Sequence, residues 1–185
     1  MKRHPFRARS VLASAALLFT AHCVTLSAAD WPRWRGADFD DLSKETGLLK
    51  QWPENGPRKV WSTQEAGLGY SGFAVSKGTL FTMGLKEDTE LLLAMDAATG
   101  KTRWSTPVGP VYVNKWGDGP RGTPTVDGDR VYAMSGQGYL VCASVVDGKP
   151  LWSVAMKDFG GKVPGWGYTE SVLVDESRAI STRGN

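Results

Sequence analysis

From residue 73 onward the chain runs in short apolar stretches, each ended by Gly or Asp before a helical face could build up. Residues 123–126 read as a strand, Asp127-Gly128-Asp129 as a turn, and 130–135 as the next strand. Gly136-Gln137-Gly138 turns the chain into Tyr139–Ser144, and residues 145–148 turn it into a fourth strand over 149–155. Val, Tyr and Thr fill the strands while Asp and Gly fill the turns, which is the hairpin pattern. Helical periodicity surfaces only weakly, over residues 42–49. The pattern predicts an all-β protein.

The stretches also repeat. Trp-Ser occurs at Trp61-Ser62, Trp104-Ser105 and Trp152-Ser153, at intervals of 43 and 48 residues. LLLAMDAATGKTRWS (91–105) lies over YLVCASVVDGKPLWS (139–153), and FAVSKGTLFTMG (73–84) over TPTVDGDRVYAMSG (123–136). ESVLVDESRAIST (170–182) opens a third copy. A period of about 45 residues is the length of one four-stranded antiparallel propeller blade. A sandwich would give no reason for a repeated Trp.

Within the first copy, Asp96 ends a strand where its carboxylate can accept hydrogen bonds from turn amides. Thr99 offers a second local acceptor, and Gly100 supplies the positive φ that closes the turn. Trp104 then falls on the outer strand, where its ring can pack on the neighbouring blade and its N–H can find a partner. The second copy keeps Gly148, Lys149 and Trp152 but has Ser144 for Asp and Asp147 for Thr, so a weaker turn is expected. Both Trp104 and Trp152 are expected to be largely buried.

The run AMDAATGKTRW fits A-x-D-x-x-T-G-K-x-x-W at every fixed position and resembles the tryptophan-docking motif of the pyrroloquinoline quinone (PQQ)-like repeat β-propellers. Trp31-Pro32-Arg33-Trp34-Arg35-Gly36 resembles the opening signature of an exported subgroup, departing from it after Gly36. The resemblance covers nearly all of residues 30–185 and implies a quinoprotein-like propeller. The motif reports docking of blades, not a bound quinone, and members of the family include enzymes and scaffolds. A ring in this family closes when an N-terminal strand completes the last blade. Residues 57–63 are therefore read as the outer strand closing the last blade, after a signal peptide over 1–29 and an N-terminal extension over 30–56. Residues 64–108 are read as the first blade, 109–156 as the second, and 157–185 as the truncated start of a third. A partial ring of under three blades is expected, with the remaining blades of a longer chain missing.

Charge matters mainly at the N-terminus. Lys2, Arg3, Arg7 and Arg9 precede an apolar run over 11–21, and Ser27-Ala28-Ala29 precedes Asp30. That is a Sec-type secretory signal with cleavage after Ala29, placing the mature protein in the periplasm or outside the cell. The run is shorter than the roughly 20 residues that span a bilayer, so no transmembrane segment is expected once the signal is removed. Taking those four bases from the total of 22 leaves 18 against 19 acids, no electrostatic footprint for nucleic acid. His4, His22 and Cys23 leave with the signal, which removes histidine-based triads, His-containing zinc sites and any intramolecular disulfide. Cys142, within an apolar strand, reads as a buried, inert thiol.

Two long inter-blade loops, 109–121 and 157–168, share the face opposite the turns of Gly100 and Gly148. Both are Gly-rich and carry aromatics, the composition of a ligand-binding rim above a rigid scaffold. Asn114, Lys115, Trp116, Asp118, Arg121, Trp166 and Glu170 are the candidate ligand-face residues. Overlaying Val126 on Val174 brings Arg121 and Glu170 near the central mouth, where an inter-blade ion pair between them is the plain expectation. No catalytic or metal residue is assigned. The first reading is a non-catalytic exported module binding a protein, peptide or glycan of the cell envelope. The second, which the resemblance implies, is a PQQ- and calcium-dependent dehydrogenase of alcohols or polyols, including polyvinyl alcohol. Those enzymes stack the quinone on a Trp, often beside adjacent cysteines, and hold calcium with Glu and Asn; adjacent cysteines are lacking here.

Overall fold

A computed structural model of the chain describes residues 28–184. The expected signal peptide falls almost wholly outside these residues. Ten short strands follow residue 73: β1 (Ala74–Ser76), β2 (Thr79–Lys86), β3 (Thr89–Asp96), β4 (Thr102–Pro110), β5 (Thr125–Asp127), β6 (Arg130–Met134), β7 (Tyr139–Ser144), β8 (Pro150–Ala155), β9 (Leu173–Asp175) and β10 (Arg178–Ile180). They form two four-stranded antiparallel sheets in sequential order, β1-β2-β3-β4 and β5-β6-β7-β8, and a β9-β10 hairpin. This is β-propeller architecture in partial form. A single 3-10 turn, Met156–Phe159, follows β8, and no α-helix occurs among the described residues. The weak helical pattern at 42–49 forms no helix: Leu42, Leu48 and Leu49 lie exposed, with no core against which an amphipathic face could form.

Alternation along the strands builds two cores. Phe81, Met83, Leu92 and Ala94 of the first sheet meet Val126, Val131, Ala133, Val141 and Ala143 of the second. The intervening positions of the second sheet, Tyr132, Met134, Leu140 and Cys142, point the other way and pack on Met156, Tyr168 and Val172. A side-chain period of two thus stacks sheet on sheet, and Cys142 is fully buried.

The turn after β3 is held as its residues dictate. Asp96 Oδ1 accepts from the amides of Ala98 (3.1 Å) and Thr99 (2.9 Å) and from the Thr99 hydroxyl (2.8 Å), while Gly100 has φ +71°. Arg103 donates to Asp96 Oδ2 at 2.7 Å, and with the Thr99 bonds it holds the Asp96 carboxyl down at about 2. The second sheet makes the same turn with Ser144 Oγ accepting from Val146 N at 3.2 Å. Trp104 lies against the Gly148 turn, where a Cβ would stand 2.4 Å from its ring, and donates to Val145 O at 3.2 Å. Both β3–β4 and β7–β8 carry a bulge just before the Trp, and each Trp tilts over an aromatic of the second strand: Trp104 on Phe81 and Trp152 on Tyr132, both at 5.9 Å.

One expectation is corrected. Trp152 is 37% exposed rather than largely buried, because no glycine turn like that of Gly148 lies over it among the described residues. Residues 57–63 pair with no strand among the described residues. Trp61 nevertheless sits on Gly100 as Trp104 sits on Gly148, and donates to Ala97 O at 3.0 Å. Residues 66–68 continue across the first sheet, pairing Leu68 with Leu85; a Cβ on Gly84 would stand 1.7 Å from Ala66 O, so only glycine fits there.

Candidate functional site

The face opposite the Gly100 and Gly148 turns is assembled from three equivalent segments that lead into β1, β5 and β9. They run side by side: Tyr70 N donates to Pro120 O (2.8 Å), Ser71 Oγ to Gly122 O (2.8 Å), and Thr123 N to Ser171 Oγ (3.1 Å). A Cβ on Gly122 would stand 2.5 Å from Glu170 O, so glycine permits this approach. Successive inner strands are thereby gathered round one mouth.

The long loops brace one another across it. Asn114 Nδ2 donates to Tyr112 Oη (2.9 Å) and Gly165 O (3.0 Å), while Tyr112 Oη also donates to Gly165 O (2.7 Å). Asp118 Oδ1 accepts from Asn114 N at 2.8 Å, and Asn114 Oδ1 from Trp116 N at 3.0 Å. Trp116 and Trp166 stack with centroids 6.3 Å apart at 22°, and Lys115 Nζ lies 5.2 Å from the Trp116 ring centre. Asn114 and Asp118 therefore shape the loop, whereas Lys115, Trp116 and Trp166 present surface.

Arg121 and Glu170 line one cleft of about 420 Å³ but do not pair. The guanidinium of Arg121 is drawn inward between Tyr112 (4.6 Å) and Tyr70 (5.4 Å) and donates to the carbonyls of Gly117 and Gly119. Glu170 Oε1 accepts from Ser181 Oγ (2.6 Å), Thr182 N (2.9 Å) and Thr182 Oγ1 (3.0 Å). The expected ion pair is replaced by separate local networks, because each group has nearer partners within its own loop or hairpin.

Several residues at the mouth escape the sequence reading. Trp34 joins Thr123, Thr169 and Ser171 in the 420 Å³ cleft, and Tyr70 joins Trp116 and Trp166 in an adjoining cleft of about 290 Å³. Arg121 and Thr169 line both. Trp34 arrives because Asp30–Trp34 climbs past the inner strands: Ser76 Oγ and Lys77 N donate to Asp30, Trp31 pairs with Val75, and Val126 N donates to Pro32 O. Beneath the mouth, Glu90 is fully buried, its two oxygens accepting from Tyr112 N (2.9 Å) and Gly136 N (2.7 Å). Burial pushes its carboxyl pKa up, against the pull of those amides and the nearby Arg121 charge.

The donor set does not suit a quinone–calcium centre. Asn114 and Asp118 are engaged in holding their loop, and one oxygen of Glu170 already accepts three hydrogen bonds. No cluster of three His, Cys, Asp or Glu that could hold a metal occurs among the described residues. Trp116 and Trp166, the exposed tryptophans of the two long loops, stack on each other.

Residues 47–158 and 92–182 each match the family model described as Outer membrane protein assembly factor BamB, together well over half of the chain. No curated protein matches it. Among solved structures, BamB from Moraxella catarrhalis is 14% identical, with a TM-score of 0.38 over 56% of this chain and 27% of its own. Quinohemoprotein alcohol dehydrogenase from Comamonas testosteroni is 19% identical, with a TM-score of 0.40 over 56% and 19%. A europium-containing methanol dehydrogenase is 26% identical, with a TM-score of 0.36 over 45% and 15%. The chain thus spans between 15 and 27% of the length of these structures. No helix among the described residues is long and apolar enough to cross a membrane.

Proposed function

The chain belongs to the PQQ-like propeller-repeat family, and on that premise we propose that it is an exported, non-catalytic binding or scaffolding module. Its ligand belongs to the cell envelope and enters the mouth between the two long loops. The observation that carries this reading is a cluster of four aromatic rings, Trp34, Tyr70, Trp116 and Trp166, each between 59 and 62% exposed. Large exposed apolar patches mark interaction surfaces, and here the scaffold beneath is rigidly hydrogen-bonded. Export follows from the basic, apolar and small-residue order of the first 29 residues.

A photo-reactive residue in place of Trp116 tests the assignment of the face, with one at Val146 on the opposite face as control. Trp116 should crosslink to an envelope component while Val146 does not; equal labelling at both would remove the reading. A dehydrogenase acting on alcohols or polyols is the competing function. Dye-linked oxidation with added quinone and calcium should stay at background. Turnover that needs quinone and vanishes in Glu170→Gln would put the enzyme first.

A further inference from the structure

We infer that the mouth binds a neutral glycan chain, its sugar rings stacked on Trp34, Tyr70, Trp116 and Trp166 and its hydroxyls bonded to the cleft wall. This rests on the mouth being the ligand face and adds the chemical class of what enters it.

The main chain argues against an extended peptide. Strand addition needs a row of unpaired backbone groups, and here the loop backbone is largely satisfied. The amides of Gly117, Gly119 and Gly167 bond to carbonyls of their own loops, and those of Tyr70 and Tyr168 to Pro120 O and Gly136 O. The carbonyls of Trp116, Gly117, Gly119 and Gly165 accept from Tyr70, Arg121, Tyr112 and Asn114 side chains. What remains open is ring faces and side-chain hydroxyls.

Charge argues against an ionic ligand. Three of the four rings already have a cation of the chain beside them, Arg35 5.5 Å from the Trp34 ring centre, Lys115 5.2 Å from that of Trp116 and Arg121 5.4 Å from that of Tyr70, which disfavours a second cation there while the rings themselves stay exposed. Arg121 in turn directs its donors to backbone carbonyls, leaving no anion clamp.

The remaining groups suit a polyhydroxylated ligand. Three of the four rings are indoles, and Trp34, Trp116 and Trp166 have no acceptor for their N–H within the described residues, so each offers an apolar face and a free donor. The Thr123 and Thr169 hydroxyls have no partner there either, and Ser171 Oγ, which accepts from Thr123 N, keeps its proton to donate. Because the clefts share Arg121 and Thr169, platform and hydroxyl wall are continuous, about 290 Å³ and about 420 Å³ end to end. That is room for consecutive sugar units, ring faces on one wall and hydroxyls on the other.

The test titrates the exported chain with neutral hexasaccharides of glucose, mannose and N-acetylglucosamine, following Trp fluorescence and calorimetric heat. At least one should bind and quench fluorescence. Trp166→Ala and Thr169→Val, both at exposed positions, should each weaken it, the first by about tenfold or more. Tetraalanine and a proline-rich peptide should not compete. No binding by any saccharide up to roughly 10 mM, a range that would catch millimolar affinity, would overturn the inference. So would binding untouched by both variants, or peptide binding at this mouth. Crosslinking from position 116 to a protein, with no saccharide binding, would retain the mouth as the ligand face while removing the glycan.

Discussion

Two carboxylates show how far a single residue can be read from sequence. Asp96 was legible because its partners are local: Thr99 and the following amides lie within three residues, and Asp-x-x-Thr-Gly names them. Glu90 was not, since its partners Tyr112 and Gly136 are 22 and 46 residues away and only stacked sheets bring them in. Their pH dependences have opposite sign. Asp96, lowered to about 2, contributes stability present above its ordinary 3.8 and lost as pH falls through about 2. Glu90, raised by burial, contributes most below its ordinary value, and that contribution is lost as pH rises through the raised one. Glu90→Gln should therefore flatten the rise in stability from neutral to mildly acid pH, measured by urea midpoints across that range. Glu90→Ala should cost about 2 kcal/mol or more at neutral pH, because it leaves two buried amides without acceptors.

At the scale of the element, the repeat was readable because hydrophobic alternation and turn residues recur in both copies. The bulges before Trp104 and Trp152 were not, because a two-against-one pairing depends on the partner strand. Nor could sequence show where Trp61 docks; its ring sits on the Gly100 turn and its N–H reaches Ala97 O. Docking depends on what lies over the ring, so equivalent tryptophans should differ in worth. Trp104→Ala should destabilise by ~3–5 kcal/mol, as expected for a packed aromatic, and Trp152→Ala by clearly less, since part of its ring already meets water. Gly148→Ala should approach the Trp104 effect, combining a strained φ of +72° with a Cβ 2.4 Å from the ring. Denaturant unfolding of the three variants checks the ranking. Equal losses at Trp104 and Trp152 would mean that the turn of Gly148 adds nothing.

For the whole molecule, the part least visible in sequence is the N-terminal segment, which belongs to no repeat yet joins both sheets. The long loops could be recognised from glycine and aromatic content, but nothing local indicates that Trp34 meets them. Its position follows from backbone pairing of Trp31 with Val75 and of Pro32 with Val126, one contact on each inner strand. β1 and β5 are only three residues long and each is paired to one strand of its own sheet, so the segment supplies their second side. Local stability varies across a fold, and short edge elements open most readily. Deleting residues 30–36 should raise hydrogen exchange at the Val75 and Val126 amides by about tenfold or more, the scale of a local opening made easier by one lost hydrogen bond each. Amides of β7, paired on both sides within its sheet, should exchange as before. Fast exchange spreading evenly through β6 and β7 would instead make the segment part of the global core. Exchange unchanged at Val75 and Val126 would mean that the inner strands hold without it, leaving delivery of Trp34 to the mouth as the segment's remaining contribution.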